Sequence, residues 1–432
     1  MKNKTISPKI LSYLVLGFFV GIFLFVRSFM GLYVFNYRLG ELGVLFCFIL
    51  TSFYVLFIYK KKLLGKSVDS IYLLLIFSFF LILFVSNSNI LDTYTFKSSS
   101  YIWTISFIFV GIYIYENTNF DEIFLKIFRF ILPLVYFLLV LAPPATKELL
   151  ASFFGTYSDK FELHKGSDLL IIFVIVMMIN NKKLNEKNFE RYYFVSLSGL
   201  FLPLLMFKSR AAFISAALFF IIEIFKNKKN LLSNNKKLLQ LLLLFILFFS
   251  ISVSFISESK TLDKDDSIVG LASIVEFRYQ SYNEQNEGLP IFFIRDNRLY
   301  SADGNLNWRL QIWQDVWDDL SNSENNILFG YGYKDKIPAM DIEERQGIDL
   351  MNENVHNNFV NIFARGGLIQ LFLFLSFYYF VVSTYKEKHG NYNILIYILP
   401  ILFCAFFDAA MENAHFPLLY YFFLGRLYIK EY

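Results

Sequence analysis

The stretch LLQLLLLFILFFSISVSFIS, residues 238–257, carries no charge over twenty positions, enough to cross the roughly 30 Å hydrocarbon core of a bilayer as one helix. Directly after it the character of the chain reverses. Residues 258–357 are hydrophilic, and a further apolar run begins at 358. Working outward, runs long enough or nearly long enough to span recur at 10–26, 41–59, 71–86, 101–115, 127–143, 167–180, 192–207 and 211–225 before it, and at 358–384, 394–410 and 415–429 after it. The pattern predicts an all-α integral membrane protein of about twelve transmembrane helices. Nine fall within 1–257, one large and partly helical loop covers 258–357, and three more helices follow within 358–432.

Composition points the same way. Of 432 residues 56% are hydrophobic and 20% aromatic, and the mean hydropathy is +0.48, well outside the soluble range. The 54 Phe and 28 Tyr, set among many Ile, Lys and Asn, read as coding bias and imply no ligand. Cys47 and Cys404 each sit in an apolar run, which argues against a disulfide framework and leaves too few thiols for a metal site. A net charge of +4, spread in short clusters, gives no case for nucleic acid.

The first segment sets Lys2, Lys4 and Lys9 ahead of the run 10–26, with no Ala-x-Ala-like cleavage site at its end, so it reads as a retained span. Basic clusters at Lys60, Lys61, Lys62 and Lys66, at Lys182, Lys183, Lys187 and Arg191, and at Lys226, Lys228, Lys229, Lys236 and Lys237 fall in alternate connections. Those connections are expected on the cytoplasmic side. An even number of spans then puts both termini inside and 258–357 outside, the periplasm in a Gram-negative envelope. The loop's nineteen Asp and Glu against nine Lys and Arg suit that placement. No internal repeat is evident.

A hydrophilic insert of this size is where chemistry is expected, since donors, acceptors and a base need walls outside the hydrocarbon. Within it, residues 307–320 (NWRLQIWQDVWDDL) place Ile312, Trp313, Val316, Trp317 and Leu320 at helical spacing opposite Gln314, Asp315, Asp318 and Asp319, an amphipathic helix. Its indoles, Trp313 included, suit packing or interfacial anchoring, with substrate stacking as the sharper reading. Gly330 and Gly332 mark a compact turn, and Asp303, Gly304 and Asn305 another. His356 stands where the loop re-enters the apolar region. It reads as a general base, with an ordinary pKa of about 6.5, or as a capping or interfacial imidazole.

Arg210 lies between two adjoining runs and Arg309 on the tryptophan helix. Each suits a diphosphate clamp, and each also suits an ordinary anchor or a solvated ion pair. The run Asp263, Lys264, Asp265, Asp266 resembles a cation-binding pattern, but in so polar a stretch it reads as solvated acid, and no metal ligand is assigned. Arg365 follows His356 by nine residues, on the opposite face of a straight helix, and joins it only if Gly366 and Gly367 mark a break. Arg27, Arg38 and Glu41 suit an anion site or mutual pairing. Asp408, Glu412 and His415 form a late connection able to line the same cavity.

Taken in order, Lys208, Ser209, Arg210, Ala211 and Ala212 between two runs, then Trp308, Arg309, Leu310, Gln311, Ile312 and Trp313, then Phe329, Gly330, Tyr331 and Gly332, and last His356 and Asn357 followed by Gly366 and Gly367 resemble the O-antigen ligase and polymerase superfamily over about 192–384. The resemblance implies a membrane-embedded glycosyltransferase, with a glycan on undecaprenyl diphosphate as donor and a glycan or lipid A core as acceptor. It places His356 as the base that activates the acceptor hydroxyl and Arg210 and Arg309 on the diphosphate. Asn357, Arg365, Lys208 and Trp313 are supporting candidates. It implies no metal and no cofactor, and the bacterial inner membrane as location. Ligases of the family often carry a second histidine two positions before the matching one, where this chain has Asn354. Polymerisation of lipid-linked repeat units is the alternative. A lipid-linked oligosaccharide flippase is the reading from another class, and it predicts repeats and charges in mid-membrane that the sequence lacks.

Overall fold

Several apolar runs begin where a short polar side chain closes the first turn. Ser7 caps Pro8–Met30, Ser209 caps Arg210–Lys226, and Asn357 caps Asn358–His389 by accepting from the amides of Phe359 at 2.9 Å and Val360 at 3.2 Å. The computed structural model describes residues 7–90, 92–158, 161–181, 188–228, 235–260, 292–295, 297–322, 324–342, 345 and 353–429. The acidic run Asp263–Asp266 lies outside them, as do Lys182, Lys183, Lys187 and Lys229.

The described chain is mainly helical. Six helices are long and apolar enough to cross a membrane: Pro8–Met30, Leu39–Lys61, Lys66–Val85, Phe120–Leu141, Asn235–Ser257 and Asn358–His389. The other runs also carry helices, among them Gly166–Asn181, Asn188–Lys208, Arg210–Lys226, Leu395–Phe406 and His415–Ile429, which are shorter or carry more charge. The run 101–115 is not one helix. It breaks into Ser100–Trp103, a 3-10 turn at Thr104–Ser106 and Phe107–Asn117. Hydroxyls compete for main-chain acceptors there: Thr104 donates to the Ser100 carbonyl at 3.0 Å, and Ser106 reaches across to Cys47 O at 2.8 Å.

One helix went unread in the sequence. Pro144–Tyr157 begins on a proline, whose missing N–H costs nothing at that position, and exposes Leu149, Phe153 and Tyr157 along one stripe. Lys147 and Glu148 interrupt its apolar character. Two short antiparallel hairpins, Tyr33–Val34 with Tyr37–Arg38 and Phe292–Arg295 with Arg298–Ser301, are the described strands.

Two glycines set the geometry that matters for the site. A Cβ on Gly166 would run into Ser209 and would sit 3.1 Å from the Ala212 methyl, so its absence lets the start of Gly166–Asn181 touch the start of Arg210–Lys226. Gly367 breaks Asn358–His389 at φ +61°, a conformation that L side chains rarely adopt. The carbonyls turned outward at that break are not orphaned. The amide of Tyr331 donates to Ala364 O at 2.8 Å and that of Gly332 to Arg365 O at 3.0 Å, so the turn read at 329–332 docks against the kink.

Candidate active site

The tryptophan helix spans Gly304–Ser321, three residues longer at its start than the periodicity predicts, because Asp303 caps it with its carboxylate on the Leu306 amide at 2.9 Å. Ile312, Val316 and Leu320 are buried as the spacing requires, while Trp317 stays exposed and stacks near Phe363 at 5.8 Å. Trp313 packs edge-on to Phe406 at 5.6 Å, and its Nε1 donates to the carbonyl of Val355 at 2.8 Å. That bond anchors the residue next to His356, so Trp313 positions the imidazole.

His356 itself is held in the left-handed region at φ +53°, between a buried Val355 and the helix cap Asn357. The Trp308 ring meets the imidazole edge-on at 5.2 Å. Its Nδ1 is buried and makes no hydrogen bond within the described residues. Burial pushes the pKa down to about 4, assisted by the positive charges of Arg309 and Lys165. The ring is therefore uncharged at neutral pH, its lone pair unspent.

Arg309 turns from the tryptophan helix toward the 407–414 connection, where it donates to the Phe407 carbonyl; its Nε has no partner among the described residues. Burial holds this guanidinium below its ordinary pKa, against the opposing pull of Asp408 and Asp303, and Arg210 lies close enough to contribute like-charge repulsion. Arg210, half exposed, reaches Asp303 at 2.5 Å. The Asp303 carboxylate thus closes the helix with one oxygen and holds Arg210 with the other. Asp408 accepts from the Ser167 hydroxyl at 2.6 Å, and burial raises its pKa. Lys165, bridged to Glu162 at 3.2 Å, completes a ring of cations that acts on both His356 and Asp408.

The structure therefore brings His356, Arg309 and Arg210 into one electrostatic cluster at the end of the helices that bears the hydrophilic segment. The other candidates divide. Lys208 is exposed, within reach of the charges on Lys147 and Glu162. Asn357 is a helix cap. Arg365 does not join His356: the break at Gly367 comes after it, and its guanidinium donates to Asp335 O, to Gly332 O and to the Tyr94 hydroxyl at 2.8 Å. Arg27 pairs with Glu162 at 3.3 Å, Arg38 with Glu41 at 3.6 Å, and His415 with Asp168 at 2.7 Å. Only Asp408 of the late connection lies against Arg309. Lys165 and the bridging role of Asp303 were not read from the sequence. The Asp-Gly start of a helix was the available signal for Asp303, and Lys165 had none. Among the described residues no group of three or more His, Cys, Asp or Glu is arranged to hold a metal ion.

Comparison with known proteins gives one family. Residues 194–375 match the model of a family described as O-Antigen ligase, within the 192–384 stretch that carries the resemblance. Over that stretch the chain is similar to the O-antigen ligase and polymerase superfamily, and the similarity points to that general type of function. No curated protein matches the chain.

Proposed function

We propose that this protein transfers a glycan from undecaprenyl diphosphate to an acceptor hydroxyl at the outer face of the bacterial inner membrane, as an O-antigen ligase acting on lipid A core or a similar acceptor. The observation that carries the reading is the cluster itself: an uncharged, unbonded imidazole in the field of Arg309 and Lys165, with Arg210 beside Arg309. Attack of a sugar hydroxyl on the anomeric carbon expels a lipid diphosphate, and fixed guanidinium groups stabilise the charge that develops on the leaving group. His356 takes the hydroxyl proton as the new bond forms. A single displacement inverts the anomeric centre and needs neither the carboxylate pair of a glycosidase nor a metal.

Order of binding follows from the electrostatics. Arg309 and Lys165 depress the basicity of His356, and Asp303 engages Arg210. A diphosphate that displaces Asp303 and neutralises the cations raises the imidazole pKa again, so the base strengthens only after the donor has arrived. Polymerisation of lipid-linked repeat units uses the same groups and stands as the second reading, favoured by Asn354 at the position where ligases of the family often have histidine. Surface glycans of a deletion strain, run on a gel, separate the two. Loss of a ligase strands long chains on the carrier lipid, loss of a polymerase leaves core bearing one repeat unit, and an unchanged ladder defeats both.

A further inference from the structure

A polar cavity lies outside the arginine cluster. Asp408 and Glu412 lie four residues apart on one connection. Asp408 faces Arg309 and Lys165, whereas Glu412 lines a cavity of about 40 Å³ with Tyr94, Lys97, Glu353, Asn354 and Arg365, and feels the charge of Asp408. Asn354 stands two residues before His356 in the chain. The volume has room for about three water-sized groups, the edge of a sugar ring rather than a whole ring.

Its chemistry differs from that of the arginine cluster. Lys97 is bonded to Glu353 at 2.9 Å, and the guanidinium of Arg365 donates to two carbonyls and to Tyr94, with its Nε left without a partner among the described residues. Beside it a polar carboxyl is also open: Glu412 Oε1 is buried and makes no hydrogen bond within the described residues. Burial raises the pKa of Glu412 to about 8, which keeps the carboxyl protonated at neutral pH, both donor and acceptor. A buried polar atom without a partner marks a place where a ligand or water is expected.

We infer that this cleft is the acceptor subsite, binding neighbouring hydroxyls along one edge of an uncharged sugar so that a further hydroxyl of the same glycan is presented to His356. The inference rests on the transferase reading above. Its test begins with binding alone. Cys47 and Cys404 are buried, so Asn354→Cys in the purified full-length protein gives one accessible thiol, whose maleimide labelling rate is followed with added ligands. A panel of neutral methyl glycosides should slow labelling several-fold, and inorganic pyrophosphate should not. Protection by pyrophosphate alone, or by no glycoside, overturns the inference.

Turnover supplies the second arm. In membranes with the native lipid-linked donor and acceptor, Glu412→Leu should raise the acceptor KM by about tenfold, the effect of one lost hydrogen bond, whereas Glu412→Gln, which mimics the protonated carboxyl, should keep it; both should leave the donor KM unchanged. If His356→Ala abolishes transfer while Glu412→Leu keeps the wild-type acceptor KM, the subsite falls and the transferase reading stands. If wild-type membranes transfer nothing, the transferase reading falls and the labelling result still decides whether the cleft binds sugar.

Discussion

The two ends of the Asn188–Lys208 helix treat charge in opposite ways. Near its start, Glu190 takes two bonds from Arg129, at 2.9 and 3.0 Å, and Asn180 takes a third at 3.0 Å; Arg426 likewise grips Asp121 at 2.9 and 3.0 Å. Beyond its end, Arg309 leans on a lone carbonyl, Arg210 borrows a carboxylate already occupied as a helix cap, and His356 leaves a nitrogen unbonded. A guanidinium that fills a carboxylate's lone pairs is structural, and removing one partner leaves a buried charge exposed to low dielectric. Cationic and imidazole groups that hold no carboxylate of their own are the ones an anionic ligand can complete.

Mutations at the two ends should therefore fail in different ways. His356→Ala should lower transfer by about 10²–10⁴-fold, the usual contribution of a general base, with donor binding intact; wild-type turnover removes the proposed base. In the wild type, the acidic limb of kcat/KM should fall near pH 4, where the free imidazole protonates, and the limb of kcat should lie at higher pH once the donor has neutralised Arg309 and Lys165. Coincident limbs would argue against the donor-first order. Arg426→Leu should cost about 3–5 kcal/mol, since it strands Asp121, and should show as a lower melting temperature in detergent with kcat per folded molecule unchanged. Arg309→Ala should weaken donor use by about 10–100-fold, the range of hydrogen bonds to charged groups, with little change in melting temperature. Asp303→Ala should have the smallest effect: a loss of about 1 kcal/mol from the cap, read by thermal unfolding, and a modestly lower donor KM as Arg210 is released. A higher donor KM would instead make Asp303 part of the donor's binding surface.

What the sequence made legible were features that repeat or punctuate. Uncharged runs mark helices, the 3.6-residue spacing of Ile312, Val316 and Leu320 marks a buried face, and Gly366 and Gly367 mark a possible break, which the structure puts at Gly367. The O-antigen ligase match at 194–375 falls where the ordered motifs were read. Less legible were features made by distant segments meeting. Lys165 enters the cluster because Gly166 lets two helix ends touch, and no local pattern announces it. Arg365 illustrates the converse. Its spacing from His356 posed the right question about a kink, but Tyr94, 271 positions away in sequence, decides where the guanidinium goes.

The edge-on contact of Trp308 with His356, 5.2 Å between ring centres, makes the protein its own indicator dye. A protonated imidazole quenches a neighbouring indole and a neutral one does so far less, so intrinsic emission should dim as the His356 ring gains its proton. With Trp308 as the only indole so placed among the described residues, one spectrum would follow proton traffic during turnover, with no label attached.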